Sequence, residues 1–155
     1  MRIHKFRGKR IDNGEWVYGW YVERQDTHYN TYSVIICEDE VAFEVDPETV
    51  GQFTGKFDTS KEKREICEGD RVKATWSDNS EKDRLDLWTY GIIRFGEGEV
   101  DASDYEEYSI NIIGFHIEYI KGCDCIPLSL LHYQKIEVIG NIHDNPELLE
   151  ANNGR

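Results

Sequence analysis

The residues best equipped for chemistry lie in the second half of the chain. Cys123-Asp124-Cys125 stands among His116, His132 and His143. Thiolate and imidazole are zinc ligands, and zinc needs four of them in tetrahedral array. A lone Cys-x-Cys lacks the partner pair that a structural site uses, and Cys37 and Cys67 lie far off in strand-like settings. The reading is therefore small thiols at a turn, with no metal. Nucleophilic catalysis by Cys67 is disfavoured too, because Glu68 and Asp70 beside it oppose a thiolate. Glu68-Gly69-Asp70 offers two carboxylates for acid–base work. It also has the form of a tight turn into a strand, with Gly free to take positive φ and Asp bonding back to nearby amides. The turn is the preferred reading. The glycines are scattered and build no phosphate cradle. No catalytic residue and no cofactor site is assigned.

Two further groups suggest binding. Glu97, Glu99, Asp101, Asp104, Glu106 and Glu107 fall in a stretch, Phe95 to Ile120, that holds no Lys or Arg. Such a run is either a solvated hairpin or an acidic surface for a basic partner, including mimicry of a phosphate backbone that would inhibit a host protein. Trp16, Tyr18 and Trp20 alternate along one strand and are either core or an interface patch, where Trp and Tyr are enriched. These nine residues are the candidate interaction surface.

The elements that would position them are strands. Ile3 to Gly8 and Glu15 to Glu23 flank Asp12-Asn13-Gly14, a hairpin signal because Asn-Gly tolerates positive φ. Gly19 in mid-strand suggests a bulge or a close backbone approach. Tyr32 to Cys37 and Val41 to Val45 follow, and Pro47 ends that unit. Gly55 to Glu65 reads as a surface loop and the domain boundary. Beyond it, strands are expected at Arg71 to Trp76, Leu87 to Phe95, Tyr108 to Ile120 and Ile136 to Ile142. Gly96-Glu97-Gly98 looks like a hairpin turn, Gly114 like a bulge, and Pro127 like the start of a short helical or irregular segment. Pro146 fits the first position of a helical turn. The class is mainly β with few short helical turns.

Composition sets the context. The 155 residues suffice for one domain or two small ones, with 39% apolar and 32% charged side chains. Nine Tyr and four Trp suit half-buried strands. A net charge of −13 disfavours nucleic acid as a partner. The one dense basic cluster, Arg2, His4, Lys5, Arg7, Lys9 and Arg10, reads as a solvated strand edge. No apolar segment approaches the roughly 20 residues of a membrane span, and no leader pattern is visible. The expectation is a soluble cytoplasmic protein with reduced thiols.

Four blocks in order, FRGKRIDNGEWVYGW (Phe6 to Trp20), PETVGQFTG (Pro47 to Gly55), EICEGDRV (Glu65 to Val72) and VIGNIHDNPELL (Val138 to Leu149), resemble the YopX family of phage and prophage proteins. Cys67 stands where that family is expected to carry an aromatic residue. The resemblance implies a mostly β fold whose second half resembles a small SH3-like barrel. It also implies homo-oligomers and a bacterial host, and brings no established activity. The resulting division is a β-rich region over 1–57, an SH3-like region over 58–145 and a tail over 146–155. The functional expectation is a non-enzymatic accessory protein acting by self-association or by contact with a host or phage protein. Nucleic-acid association is the alternative.

Overall fold

The computed structural model describes residues 5–76, 88–101, 109–119, 125–127 and 133–146. The chain divides into two compact units, Met1–Gly55 and Lys56–Arg155. Both are built of antiparallel strands, so the fold is mainly β.

In the first unit β1 (Phe6–Lys9), β2 (Trp16–Gln25), β3 (Thr31–Ile36) and β4 (Ala42–Val45) follow one another as hairpins. The first turn forms where Asn13-Gly14 predicts it, with Gly14 at φ +74° and the Asn13 carboxamide oxygen accepting the Glu15 N–H. A 3-10 turn at Pro47–Thr49 is capped by the Asp46 carboxylate, which accepts the Glu48 N–H. The chain then enters β5 (Gly51–Phe57), which pairs with β1 and gives the order β4-β3-β2-β1-β5. Two expectations are corrected here. Gly55 to Phe57, expected to begin the surface loop, instead end β5, and Glu65, expected to close it, opens a further strand. In addition, β1 is an interior strand rather than a solvated edge, because it is paired on both sides.

Alternation divides this sheet into two faces. Phe6, Gly8, Tyr21, Ile35 and Val45 meet on one. There the rings of Phe6 and Tyr21 lie 5.7 Å apart, and a Cβ at Gly8 would touch Ile35 and Val45 at 3.1 Å. Gly19 lets β3 approach closely, since a Cβ there would lie 2.0 Å from the Ile36 carbonyl oxygen. The β1–β2 register runs without a shift from Trp16 to Gly19, where it ends, and the β2–β3 register begins at Trp20.

The second unit holds β6 (Glu65–Cys67), β7 (Asp70–Trp76), β8 (Trp88–Asp101), β9 (Ser109–Tyr119), β10 (Cys125–Pro127) and β11 (Tyr133–Asn141). Five of these form a sheet in the order β10-β9-β8-β7-β11. Among the described residues no pairing joins β10 to β11, so the sheet is open and not a closed barrel. Its core is Ile66, Val72, Ala74, Ile93, Ile117 and Ile136, with Phe115 and Val138 packed against it. Ile117→Val removes only the Cδ1 methyl from a fully buried side chain. It is expected to cost about 1 kcal/mol in urea denaturation, as for other single buried methyl deletions.

Gly96-Glu97-Gly98 is not a turn. β8 runs straight through it, pairing Gly96 with Gly114, Glu97 with Ile113 and Gly98 with Ile112. Gly114 is likewise no bulge, because the register does not shift there. The two facing glycines adopt φ +139° and +148°, a backbone region that glycine reaches without a Cβ penalty. β7 pairs with β8 only from Trp88 to Ile92, and β10 with β9 only from His116 to Glu118. From Phe95 to Asp101 and from Ser109 to Phe115 the two strands thus continue as a ribbon, paired among the described residues only with each other. Pro127 ends β10 opposite His116, and residues 128–132 after it lie outside the described residues.

Candidate interaction surface

The register of the first hairpin builds the most distinctive surface. Arg7 sits opposite Tyr18 and Lys9 opposite Trp16, so the odd positions of β1 share a face with the even positions of β2. The Arg7 guanidinium lies 4.8 Å and the Lys9 ammonium 5.5 Å from the Trp16 ring centre, and the Lys5 ammonium 5.4 Å from that of Tyr18. These distances bring the cations to the negative faces of the π systems. Trp16 is half-buried, whereas Tyr18 and Trp20 remain 43% and 57% exposed. Tyr18 and Trp20 are therefore not core residues, whereas Arg7 on the same face is buried.

A shallow open cleft of about 400 Å³ lies beside the same hairpin, lined by Lys9, Arg10, Asp46 and Pro47 among others. Near it Arg10 binds the Asp12 carboxylate, with Nε 2.9 Å from Oδ1. That hydrogen bond raises the guanidinium pKa and lowers the Asp12 carboxyl below its ordinary value. Both groups serve the turn, and no nucleophile–base pair faces the cleft.

The acidic candidates separate. Glu97 is exposed on β8 opposite Ile113, which is 82% exposed. Glu99 and Asp101 lie further along β8, opposite Asn111 and Ser109. Asp104, Glu106 and Glu107 lie outside the described residues. The Phe95 and Phe115 rings meet at a tilt of 58° with centres 4.9 Å apart, next to Glu97 and Ile113, so this part of the ribbon is apolar as well as acidic.

The zinc candidates are likewise dispersed in what is described. His116 is buried and hydrogen-bonds the Gly114 carbonyl oxygen through Nδ1 at 3.1 Å, and Cys125 opens β10 opposite Glu118. Cys123 and His132 lie outside the described residues. Among the described residues no group of three His, Cys, Asp or Glu side chains could hold a metal ion. Cys67 is buried, and its N–H donates to the Asp70 carboxylate at 2.8 Å. Glu68-Gly69 forms the tight turn, with Gly69 at φ +81° and its N–H donating to the Ile93 carbonyl. The Asp70 carboxylate is thus committed to structure.

A family model described as YopX protein matches residues 5–150. The chain belongs to the YopX family. No curated protein and no solved structure matches it. In this YopX chain, no helix among the described residues is long and apolar enough to cross a membrane.

Sequence reasoning missed one carboxylate altogether. Asp58, placed in the expected surface loop, is buried and organises the turn over residues 58–64. Its Oδ1 accepts the Ser60 hydroxyl at 2.6 Å and the N–H groups of Arg64 and Ser60 at 3.0 and 3.2 Å. Its Oδ2 accepts the Val138 N–H at 3.2 Å. Burial, the largest single influence, pushes the carboxyl up. The Ser60 hydroxyl and the three N–H donors outweigh it and hold the carboxyl below its ordinary 3.8. The available signal was Asp-Thr-Ser, an acceptor two residues before a hydroxyl in a polar loop.

Proposed function

We propose that this YopX-family chain is a phage- or prophage-encoded accessory protein without catalytic activity. It works in the bacterial cytoplasm by self-association or by contact with a host or phage protein. The observation that carries this reading is the pair of exposed rings on the first sheet, Tyr18 and Trp20, beside the half-buried Lys5 and Lys9. Trp and Tyr are among the residues that dominate interface energetics once water is excluded. Large amphipathic rings held in place by a sheet lose little side-chain entropy on docking. The SH3-like reading of the second unit is part of the same proposal. Its support is a four-strand meander whose returning strand, β11, lies beside the first, β7.

Purified chain is expected to run above monomer mass in light scattering. The double variant Tyr18→Ala/Trp20→Ala should weaken that assembly on the order of tenfold or more while keeping the wild-type melting temperature. A wild-type chain that stays monomeric and captures no protein in its host overturns the reading.

A second reading is supported by the same rings. Aromatic side chains interleaved with cations on an open sheet can stack the bases of a single strand. The net charge of −13 opposes it. A mobility shift at low salt that fades steeply as salt rises would favour it over protein contact.

A further inference from the structure

We propose that residues 58–64 are an edge guard, a surrogate strand that closes the outer edge of β11 and keeps the second unit from pairing through it with another copy. The inference does not rest on the rings of the first sheet. Among the described residues β11 is the last strand of its sheet, nine residues long, and Ile136, Val138 and Ile139 make it β-prone. A bare edge of that kind is a template for another chain. Here both main-chain groups of Ile136 and both of Val138 are occupied from one turn. The Thr59 hydroxyl accepts the Ile136 N–H at 2.9 Å and donates to the Ile136 carbonyl at 2.8 Å. The Thr59 N–H donates to that same carbonyl at 2.7 Å. The Asp58 carboxylate accepts the Val138 N–H at 3.2 Å, and Arg64 Nη1 donates to the Val138 carbonyl at 3.3 Å.

This set stands in for a neighbouring strand without being one. A facing antiparallel strand offers both a donor and an acceptor at alternate residues. Thr59 supplies both to Ile136, whereas Asp58 and Arg64 divide the task at Val138. The guard offers no strand of its own to a further chain. Lys63 takes φ +51°, which breaks an extended run, and Lys61, Glu62, Lys63 and Arg64 are all exposed. Exposed charge at an edge discourages pairing. Asp58 is the anchor, since its Oδ1 holds Ser60 and Arg64 within the turn while its Oδ2 reaches β11. One buried side chain thus couples the shape of the turn to closure of the edge. The consequence for assembly is specific. What the guard excludes is an antiparallel pairing of two β11 strands about a two-fold axis, so self-association of the intact chain does not run through β11.

Replacing residues 58–64 by a Gly-Ser tract of equal length removes the guard and keeps the connection to β6. The full chain is used, carrying Tyr18→Ala/Trp20→Ala, so that association through the rings and association through β11 are read separately. With the guard intact, the Ile136 and Val138 amides should be protected from hydrogen exchange equally at low and high protein concentration. Without it, the dilute chain should be monomeric, with both amides exchanging on the order of tenfold or more faster. The concentrated chain should run at the mass of two chains in light scattering, with protection restored at the same two amides. A guardless chain that stays monomeric when concentrated, or one that associates while these amides still exchange fast, overturns the inference. So does protection at these amides that rises with concentration in the intact chain. A monomeric wild-type chain overturns the reading of the rings and not this one. Circular dichroism checks folding. If the tract variant does not fold, Thr59→Val/Arg64→Ala keeps Asp58 and its turn while removing the side-chain partners of the Ile136 N–H and the Val138 carbonyl, and it must meet the same criteria.

Discussion

Replacing Asp58 with alanine is expected to destabilise the second unit by about 4 kcal/mol, read as a shift in urea denaturation. The carboxylate is buried and accepts four hydrogen bonds, three of them from backbone N–H groups. Bonds to a charged acceptor are worth about 1.5–3 kcal/mol each, and a donor left unsatisfied costs about 1–3 kcal/mol. The donors of the exposed turn can recover part of this from water, which is why the sum is not realised. Asp58→Asn should fall between the two, because it keeps one acceptor oxygen and loses the charge. The pH dependence has a definite sign. The folded carboxyl lies below its ordinary 3.8, so ionisation stabilises the fold above the unfolded pKa. That stabilisation is lost as pH falls through the folded value. The stability difference between wild type and Asp58→Asn should therefore be constant from neutral pH down to about pH 5 and shrink below about pH 4. A difference that grew in acid would contradict this account.

Gly19→Ala is expected to cost about 3 kcal/mol, the upper part of the range for overpacking. The added methyl would sit 2.0 Å from the Ile36 carbonyl oxygen and 2.6 Å from its carbon. Both are backbone atoms of the neighbouring strand, so relief requires β2 and β3 to separate where Trp20 pairs with Ile36. Gly91→Ala provides the comparison. Its nearest clash, 2.2 Å, is with the Cγ2 of Ile117, a side chain, and the backbone contact with the Glu118 oxygen is a longer 2.8 Å. A smaller loss is expected there. Gly55→Ala meets no atom within 4 Å, and its cost comes from φ +81° alone. The order Gly19, Gly91, Gly55 in melting temperature tests whether close strand approach outweighs backbone conformation.

The first unit was legible because its signals are local. Asn13-Gly14 marks a turn, and the flanking alternation assigns Trp16, Tyr18 and Trp20 to one face before any tertiary contact is known. Which face is outward depends on what the sheet packs against, and alternation alone does not contain that. The cations over the rings were within reach, since a hairpin about Asn13-Gly14 sets residues 5–9 against 16–20. They were missed because the basic cluster was read by composition and assigned to an edge. Gly96-Glu97-Gly98 was misread for the opposite reason. Gly-x-Gly is a turn signal only when the alternation stops there, whereas here Val100 and Asp101 continue the strand. Asp58 was illegible because its decisive partner, Val138, lies 80 residues away.

That separation bears on how the molecule comes together in time. β1 to β4 are joined by hairpins and can form as soon as each successive strand exists. The tie between residues 58–64 and β11 is another matter. The Thr59 N–H and hydroxyl both donate to the Ile136 carbonyl, at 2.7 and 2.8 Å, across 77 residues of chain. Closing a loop of that length costs roughly 4 kcal/mol of chain entropy before any contact rewards it. The second unit has to reach its transition state with this long closure made, and topology of that kind slows folding. During synthesis the open edge of β7 waits, unpaired with β11, until the last of these strands has been made. Over that interval the growing chain presents the kind of bare strand that invites pairing with a neighbour. A stopped-flow experiment should accordingly find two refolding phases, with the slow one slowed further by Thr59→Ala and the fast one unchanged.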